Sequence, residues 1–219
     1  FQNGLDVGCG AGLSTKALRL ICDRVTGTDI SEQMIQVCQE EYKNDKAYTF
    51  YRAKAEETKE PVEKYDIVTA AGMVNWVDRD LFLRNMGRVL QDQGILLIYD
   101  FWITDKMQGN DSYTNWYQNE YLKRFPKPPR NETIWKQEEL PDDFQIKKQI
   151  TYELAYDFSM EQFIDFMMIQ SNVNIKLESG AVNEENARDW LEKSLTPVFE
   201  NREKTLYFKG YNWYIYKLG

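Results

Sequence analysis

The first residues whose type and spacing suggest a chemical role are three glycines spaced two residues apart, Gly8, Gly10 and Gly12. Glycine adopts backbone conformations that other residues avoid and carries no side chain, so a turn of this kind lets the backbone approach a ligand closely. Asp29 follows Gly8 by 21 residues, and a carboxylate at this place can accept hydrogen bonds from both hydroxyls of a ribose. Singly, the glycines could make only a tight turn and Asp29 could only cap a helix. Together they predict a nucleotide-binding site.

Alternating strands and helices would position these residues. Apolar segments predict five strands, over residues 4–7, 24–29, 48–52, 65–70 and 94–101. Apolar residues at helical spacing follow the first, second and fourth strands, and Asp78 is placed to cap the helix after the fourth. Strands that alternate with helices imply right-handed crossovers, so the sequence predicts an α/β fold with a doubly wound, mostly parallel sheet.

The alternation stops after Phe101, where a segment rich in Trp, Tyr and Pro begins. A strand over 144–158 and helices over 160–169 and 183–199 follow, and Asn183 is a plausible N-cap of the last helix. The final segment, 206–218, has Gly210 in its middle and predicts a closing hairpin. We therefore expect one domain, 1–219, with a ligand-binding core at 1–101 and an inserted lid or substrate region at 102–172.

Composition excludes several classes of function. A formal net charge of −8 disfavours DNA and RNA as partners, because binding to nucleic acids depends largely on neutralising phosphates. The longest uncharged apolar stretches are too short to cross a bilayer, so no membrane association is expected. Three cysteines without a Cys-x-x-Cys spacing predict free thiols, no metal site and a cytoplasmic location.

Five segments in order resemble the motifs of class I S-adenosylmethionine-dependent methyltransferases. Leu5-Asp6-Val7-Gly8-Cys9-Gly10-Ala11-Gly12 resembles the first motif, in which an acid stands two residues before the first glycine. The other four matches are 27–35, 53–56, 65–70 with Asn75-Trp76, and 90–96. The resemblance implies a seven-stranded Rossmann-like methyltransferase fold with an antiparallel last strand, and S-adenosylmethionine as the cofactor.

The resemblance also assigns residues to the cofactor. Asp6 would help to hold its aminocarboxylate end, Asp29 would bind the ribose, and Ile30 and Met34 would flank the adenine. Lys54 stands where relatives often have Asp, so the contact to the adenine amino group passes to Glu56 or to a backbone carbonyl. The predicted cofactor-binding residues are Asp6, Gly8, Cys9, Gly10, Gly12, Asp29, Ile30, Met34, Ala55, Glu56, Ala70 and Met73.

The acceptor is expected to be a small molecule, with a looser resemblance to the trans-aconitate methyltransferase branch. Five residues are candidates for binding it: Asn75, Trp76, Trp102, Trp116 and Tyr117. For the last three, a place in a lid and a place in the core are about equally supported. The chain has no His, which excludes a histidine general base. No catalytic residue is identified, and we expect in-line positioning of the reactants to drive the reaction.

Two other functions stay open at this point. One is a regulatory domain that binds the cofactor without catalysis, and the other is a nicotinamide-dependent oxidoreductase, which shares the glycine turn. A protein or nucleic-acid methyltransferase is less favoured, because the chain is acidic and its fourth strand lacks an Asn/Asp-Pro-Pro-aromatic segment. The sequence allows a monomer or a homodimer.

Overall fold

A computed structural model describes residues 1–132 and 134–219. The chain forms a seven-stranded sheet with the order β3-β2-β1-β4-β5-β7-β6, in which β1 to β5 are parallel and β7 is antiparallel. The strands are β1 (Asn3–Val7), β2 (Arg24–Asp29), β3 (Tyr48–Arg52), β4 (Tyr65–Ala71), β5 (Leu90–Met107), β6 (Phe144–Phe158) and β7 (Lys204–Lys217). This architecture confirms the predicted α/β fold with a mostly parallel sheet.

Helices follow most of the strands. The α-helices are α1 (Leu13–Arg19), α2 (Glu32–Glu41), α3 (Arg79–Val89), α4 (Asp111–Trp116), α5 (Leu122–Arg124), α6 (Met160–Met168), α7 (Ser171–Glu178) and α8 (Glu184–Phe199). Short 3₁₀ turns cover Ala55–Glu57 and Gln137–Glu139, and a π-helical turn covers Tyr117–Tyr121. The predicted cap at Asp78 is confirmed, since its side chain accepts a hydrogen bond from the Leu81 N–H at 3.0 Å.

The structure differs from the predicted elements after residue 101. Strand β5 continues to Met107, and α4, α5 and α7 form where no helix was predicted. The predicted hairpin over 206–218 is wrong, because β7 is one 14-residue strand in which Gly210 stays extended. The sheet order explains this difference, because β7 lies between β5 and β6. These neighbours supply hydrogen-bond partners for the backbone groups on both edges of β7, so the strand does not need to fold back on itself.

The chain divides into two compact units, each with its own core. The first unit comprises Phe1–Phe101, Asn131–Thr151 and Gly210–Gly219, and the second comprises Trp102–Arg130 and Tyr152–Lys209. Aliphatic side chains of β1, β4 and β5 and the inner face of α3 fill the core of the first unit. The core of the second unit contains eight buried aromatic side chains together with aliphatic ones. The interpretation as one domain with an insertion at 102–172 stays a prediction.

Candidate functional site

The carboxyl ends of the central strands bring the predicted site residues together. Val7, the last residue of β1, pairs with Thr28 of β2 and with Ala70 of β4. Gly8, which follows β1, and Asp29, the last residue of β2, therefore lie at one edge of the sheet. In an open parallel sheet this edge is where ligands bind.

The glycine turn after β1 needs its glycines for two reasons. Gly8, Gly10 and Gly12 have φ values of +68°, +52° and +88°, which residues with a side chain rarely adopt. At Gly8, an added Cβ would also lie 2.8 Å from Cγ of Met73. The turn thus combines a left-handed backbone with a close approach between two loops.

Asp29 holds this turn in place from the end of β2. One carboxylate oxygen accepts the Gly10 N–H at 2.9 Å, and the other accepts the Ser31 N–H at 2.8 Å. An ionised carboxylate has about four acceptor positions, so each oxygen can still accept a hydroxyl proton. Asp29 is only partly buried and lines the pocket described below.

Asp6 lies fully buried beneath the turn. Its carboxylate accepts hydrogen bonds from the hydroxyls of Ser14 (2.5 Å), Thr15 (2.6 Å) and Thr69 (2.7 Å). Burial raises the pKa of this carboxyl, and the three hydroxyl donors offset only part of that effect. In the structure Asp6 connects α1 to β4, and its predicted contact with a ligand aminocarboxylate stays a prediction.

A pocket of about 460 Å³ opens beside Asp29, a volume in the range of small-molecule sites. Its lining combines two carboxylates and a lysine with largely apolar residues. Its lining residues are Gly8, Asp29, Ile30, Ala53, Lys54, Ala55, Glu56, Met73, Trp76 and Val77.

Seven of the predicted site residues line this pocket: Gly8, Asp29, Ile30, Ala55, Glu56, Met73 and Trp76. Sequence reasoning did not single out Ala53 and Val77 as lining residues. Their positions next to predicted features could have indicated them, because Ala53 follows the end of β3 and Val77 follows the Asn75-Trp76 segment.

The other predicted residues of the first unit are not among those that line the pocket. These are Asp6, Cys9, Gly10, Gly12, Met34, Ala70 and Asn75. The Cys9 thiol packs with Cys38 and Phe50, and burial raises its pKa well above the ordinary value. The backbone of Cys9 instead joins the glycine turn to β2, because its N–H donates to the Thr28 carbonyl at 2.9 Å.

The three remaining candidates, Trp102, Trp116 and Tyr117, belong to the second unit. Trp116 is 1% exposed, stacks on Tyr121 with ring centroids 5.3 Å apart, and donates its indole N–H to Ser194 Oγ at 3.0 Å. Tyr117 is also buried, whereas Trp102 is 41% exposed. Burial favours core packing for Trp116 and Tyr117, and contact with an acceptor stays a prediction for all three.

Sequence similarity to known proteins lies in the first part of the chain. Residues 5–98 match a family model described as "Methyltransferase domain". A ubiquinone biosynthesis O-methyltransferase of Pelagibacter ubique is 30% identical over 95 residues, which are 43% of this chain and 40% of the relative. A ubiquinone/menaquinone biosynthesis C-methyltransferase of Shewanella sediminis is 37% identical over 105 residues, which are 44% of this chain and 41% of the relative. The chain matches about two fifths of the length of these relatives.

Solved structures resemble the whole chain at low sequence identity. A structure from Anaeromyxobacter dehalogenans, described as a type II methyltransferase candidate, superposes with a TM-score of 0.71 and 20% identity over 99% of this chain and 89% of that one. A methyltransferase candidate from Bacillus halodurans gives a TM-score of 0.59 and 18% identity over 100% and 93% of the two chains. These structures share the fold.

Proposed function

We propose that this chain, whose residues 5–98 match a methyltransferase family model, transfers a methyl group from S-adenosylmethionine to a small-molecule acceptor. The match of residues 5–98 to the family model supports the predicted resemblance, the predicted enzyme class and the predicted methyl donor. It does not single out the trans-aconitate branch.

The observation that carries the proposal is that Asp29 lines the pocket with a carboxylate held by two backbone N–H groups. Both of its oxygens are oriented by a backbone N–H, and both retain acceptor capacity for a ribose hydroxyl. A bidentate pair of this kind suits the 2′- and 3′-hydroxyls of an adenosine. Replacing either hydroxyl would remove one of the hydrogen bonds to the Asp29 carboxylate, so the site favours an intact ribose.

The rest of the pocket fits the other parts of the cofactor. Ile30 and Val77 line the pocket with apolar side chains that suit the faces of an adenine, and Glu56 adds a carboxylate that suits its amino group. Once bound, S-adenosylmethionine supplies a methyl group on a positively charged sulfur that leaves readily as a neutral thioether. The protein's own task is then to hold the ribose at Asp29 and to orient the methyl group toward the acceptor.

Three further points define the proposed acceptor and setting. The relatives methylate oxygen or carbon in quinone biosynthesis according to their names, which supports a small organic acceptor. The net charge of −8 argues against a nucleic acid. The three free, buried cysteines suit a reducing cytoplasm. A monomer and a homodimer are both compatible with this proposal.

Calorimetric titration with S-adenosylhomocysteine tests the proposal. We expect micromolar binding to the wild-type chain and at least about a tenfold loss in Asp29→Ala, since charged hydrogen bonds contribute roughly 1.5–3 kcal/mol. Asp23→Ala removes an exposed acid elsewhere and is the control. Stronger competition by NADH than by S-adenosylmethionine would favour an oxidoreductase and contradict the proposal.

Turnover separates the enzyme from a regulatory domain. The chain is incubated with S-adenosylmethionine and a panel of phenols, carboxylic acids, amines and thiols, and release of S-adenosylhomocysteine is measured. Catalysis is expected with at least one class. Tight binding without turnover over the whole panel would favour the regulatory alternative.

A further inference from the structure

The loop between β3 and β4, residues 53–64, supplies part of the pocket lining. Its first four residues, 53–56, all line the pocket, and the backbone forms a single 3₁₀ turn at Ala55–Glu57. A 3₁₀ turn of three residues makes few hydrogen bonds of its own. The positions of the lining side chains in this loop therefore depend on contacts with neighbouring elements.

Asn85, in the middle of α3, makes the first of these contacts. Its side chain is buried, and its amide nitrogen donates to the Ala55 carbonyl at 2.8 Å and to Thr58 Oγ1 at 2.9 Å. The amide oxygen accepts a hydrogen bond from Arg88 at 2.8 Å. A buried amide is costly unless its donors and its acceptor find partners, and here they do. Asn85 thus fixes the loop to α3 at the residue next to Glu56.

Arg88, about one turn further along α3, holds the same loop. Its guanidinium donates to the carbonyls of Thr58 and Glu60 as well as to Asn85. A guanidinium presents five N–H donors in a rigid plane, so it can hold several acceptors in a fixed arrangement. Asn85 and Arg88 together bind three backbone carbonyls of the loop, those of Ala55, Thr58 and Glu60.

The loop brings the carboxylate of Glu56 to the pocket. Its Oε1 accepts the N–H of Asp78, the residue that caps α3, at 3.2 Å. An ionised carboxylate has about four acceptor positions, so Glu56 can accept further donors. Helix α3 therefore holds this loop at two places, at its N-terminus through Glu56 and in its middle through Asn85 and Arg88.

We propose that Asn85 and Arg88 are positioning residues that make the pocket select an adenine base through Glu56. The inference rests on the proposed function. The amino group of adenine donates a hydrogen bond to a carboxylate, whereas hypoxanthine has a carbonyl oxygen in its place, which a carboxylate repels. Strong selection requires Glu56 to stay in place, because a loosely held carboxylate can turn away from the wrong base. Asn85 and Arg88 remove that freedom, although neither lines the pocket.

Two ligands that differ only in the base measure this selection. They are S-adenosylhomocysteine and S-inosylhomocysteine, its analogue with hypoxanthine. Calorimetry gives both dissociation constants, and their ratio is the base preference of the protein. We expect the wild-type chain to prefer S-adenosylhomocysteine by at least about tenfold. Glu56→Gln should lose most of this preference, because an amide can donate to the carbonyl oxygen of hypoxanthine.

Asn85→Leu tests the positioning role. Leu is similar in size to Asn but cannot hold the Ala55 carbonyl, so the base preference should fall by at least about threefold. Asn172→Leu is the matched control. Asn172 is also buried and its amide donates to the Phe125 carbonyl at 2.8 Å, but it belongs to the second unit. This control should lower the stability of the protein and leave the base preference unchanged.

Arg88→Met is a milder second variant, which keeps the inference testable if Asn85→Leu does not fold. Arg88 is only partly buried, and Met retains most of its apolar stem. The base preference should again decrease. Arg84→Met is its control, because it removes an exposed cation from the same helix, where Arg84 donates to the Asp80 carbonyl. The control should keep the preference of the wild type.

A double variant shows whether Asn85 acts through Glu56. In the Glu56→Gln background, Asn85→Leu should change the base preference little, because the group that it positions is already altered. A role in stability alone would weaken the binding of both ligands by the same factor in either background.

The outcomes distinguish the two proposals. If the wild-type chain does not bind S-adenosylhomocysteine, the proposed function fails, and this inference fails with it. If S-adenosylhomocysteine binds but the wild type shows no base preference, the proposed function stands and the inference is overturned. It is also overturned if Asn85→Leu and Arg88→Met keep the wild-type preference, or if the two controls reduce it equally.

Discussion

Two aspartates of the site, Asp6 and Asp29, have the same side chain in different environments. Asp29 accepts two backbone N–H groups and keeps part of its surface in the pocket. Asp6 is fully buried and receives three hydroxyl donors, and no ion pair to a cation is found for it in the described chain. Hydroxyl donors compensate a buried negative charge less well than water or a cation would. Asp29 is therefore suited to ligand binding, and Asp6 to joining α1 to β4.

Replacing Asp6 by Asn should change how stability depends on pH. Burial raises the pKa of Asp6 from the ordinary 3.8, so the folded protein favours the protonated form. Protonation of Asp6 therefore contributes to the free energy of unfolding, and this contribution is complete below the ordinary pKa and is lost as the pH rises through the raised pKa. Asp6→Asn resembles the protonated acid, so its free energy of unfolding should increase relative to wild type over that pH range.

Urea unfolding of both proteins at a series of pH values measures this difference. Asp23→Asn, at an exposed position, controls for the loss of one acidic group. A stability difference between Asp6→Asn and wild type that is constant with pH would contradict the assignment of a raised pKa.

At the scale of the elements, side-chain caps define where several helices begin. Ser31, Asp78, Ser159 and Asn183 each accept a hydrogen bond from a backbone N–H in the first turn of the following helix. Such residues satisfy N–H groups that have no partner within the helix. Two of these starts, at Asp78 and Asn183, were predicted from the sequence alone, because capping depends on neighbours within one turn.

Removing the cap at Asn183 should destabilise α8. Its side chain accepts the Asn186 N–H at 2.7 Å, and loss of such a cap costs about 1 kcal/mol. Asn183→Ala should lower the free energy of unfolding by that amount in denaturant titrations followed by circular dichroism. Asn183→Asp keeps an acceptor at the N-terminus of the helix and should stay close to wild type. Equal losses in both variants would show that the cap is not the cause.

At the scale of the whole molecule, the pocket beside Asp29 is lined entirely by residues of the first unit. The second unit has a separate aromatic core, in which Tyr113, Trp116 and Phe163 are buried. Within the described residues, none of the helices is long and apolar enough to cross a membrane. Binding of the cofactor is therefore expected to stabilise the first unit directly.

The cofactor should raise the unfolding temperature of the protein. A ligand at 100 times its dissociation constant stabilises the folded state by about 2.7 kcal/mol, which corresponds to a shift of roughly 5–10 °C for a chain of this size. Differential scanning calorimetry with S-adenosylhomocysteine measures the shift. Asp29→Ala at the same ligand concentration should show a smaller one. An equal shift in both proteins would show that the ligand binds away from Asp29.

The sequence alone determined the strands up to β4, the glycine turn and the place of Asp29, because these depend on local signals: alternating apolar segments, backbone conformations that require glycine, and short spacings along the chain. Tertiary structure decided what local signals do not contain. The extended path of β7 past Gly210 depends on having β5 and β6 as neighbours, and the burial of Trp116 depends on partners as distant as Ser194. The contact of Asn85 with the loop after β3 likewise joins residues far apart in the chain.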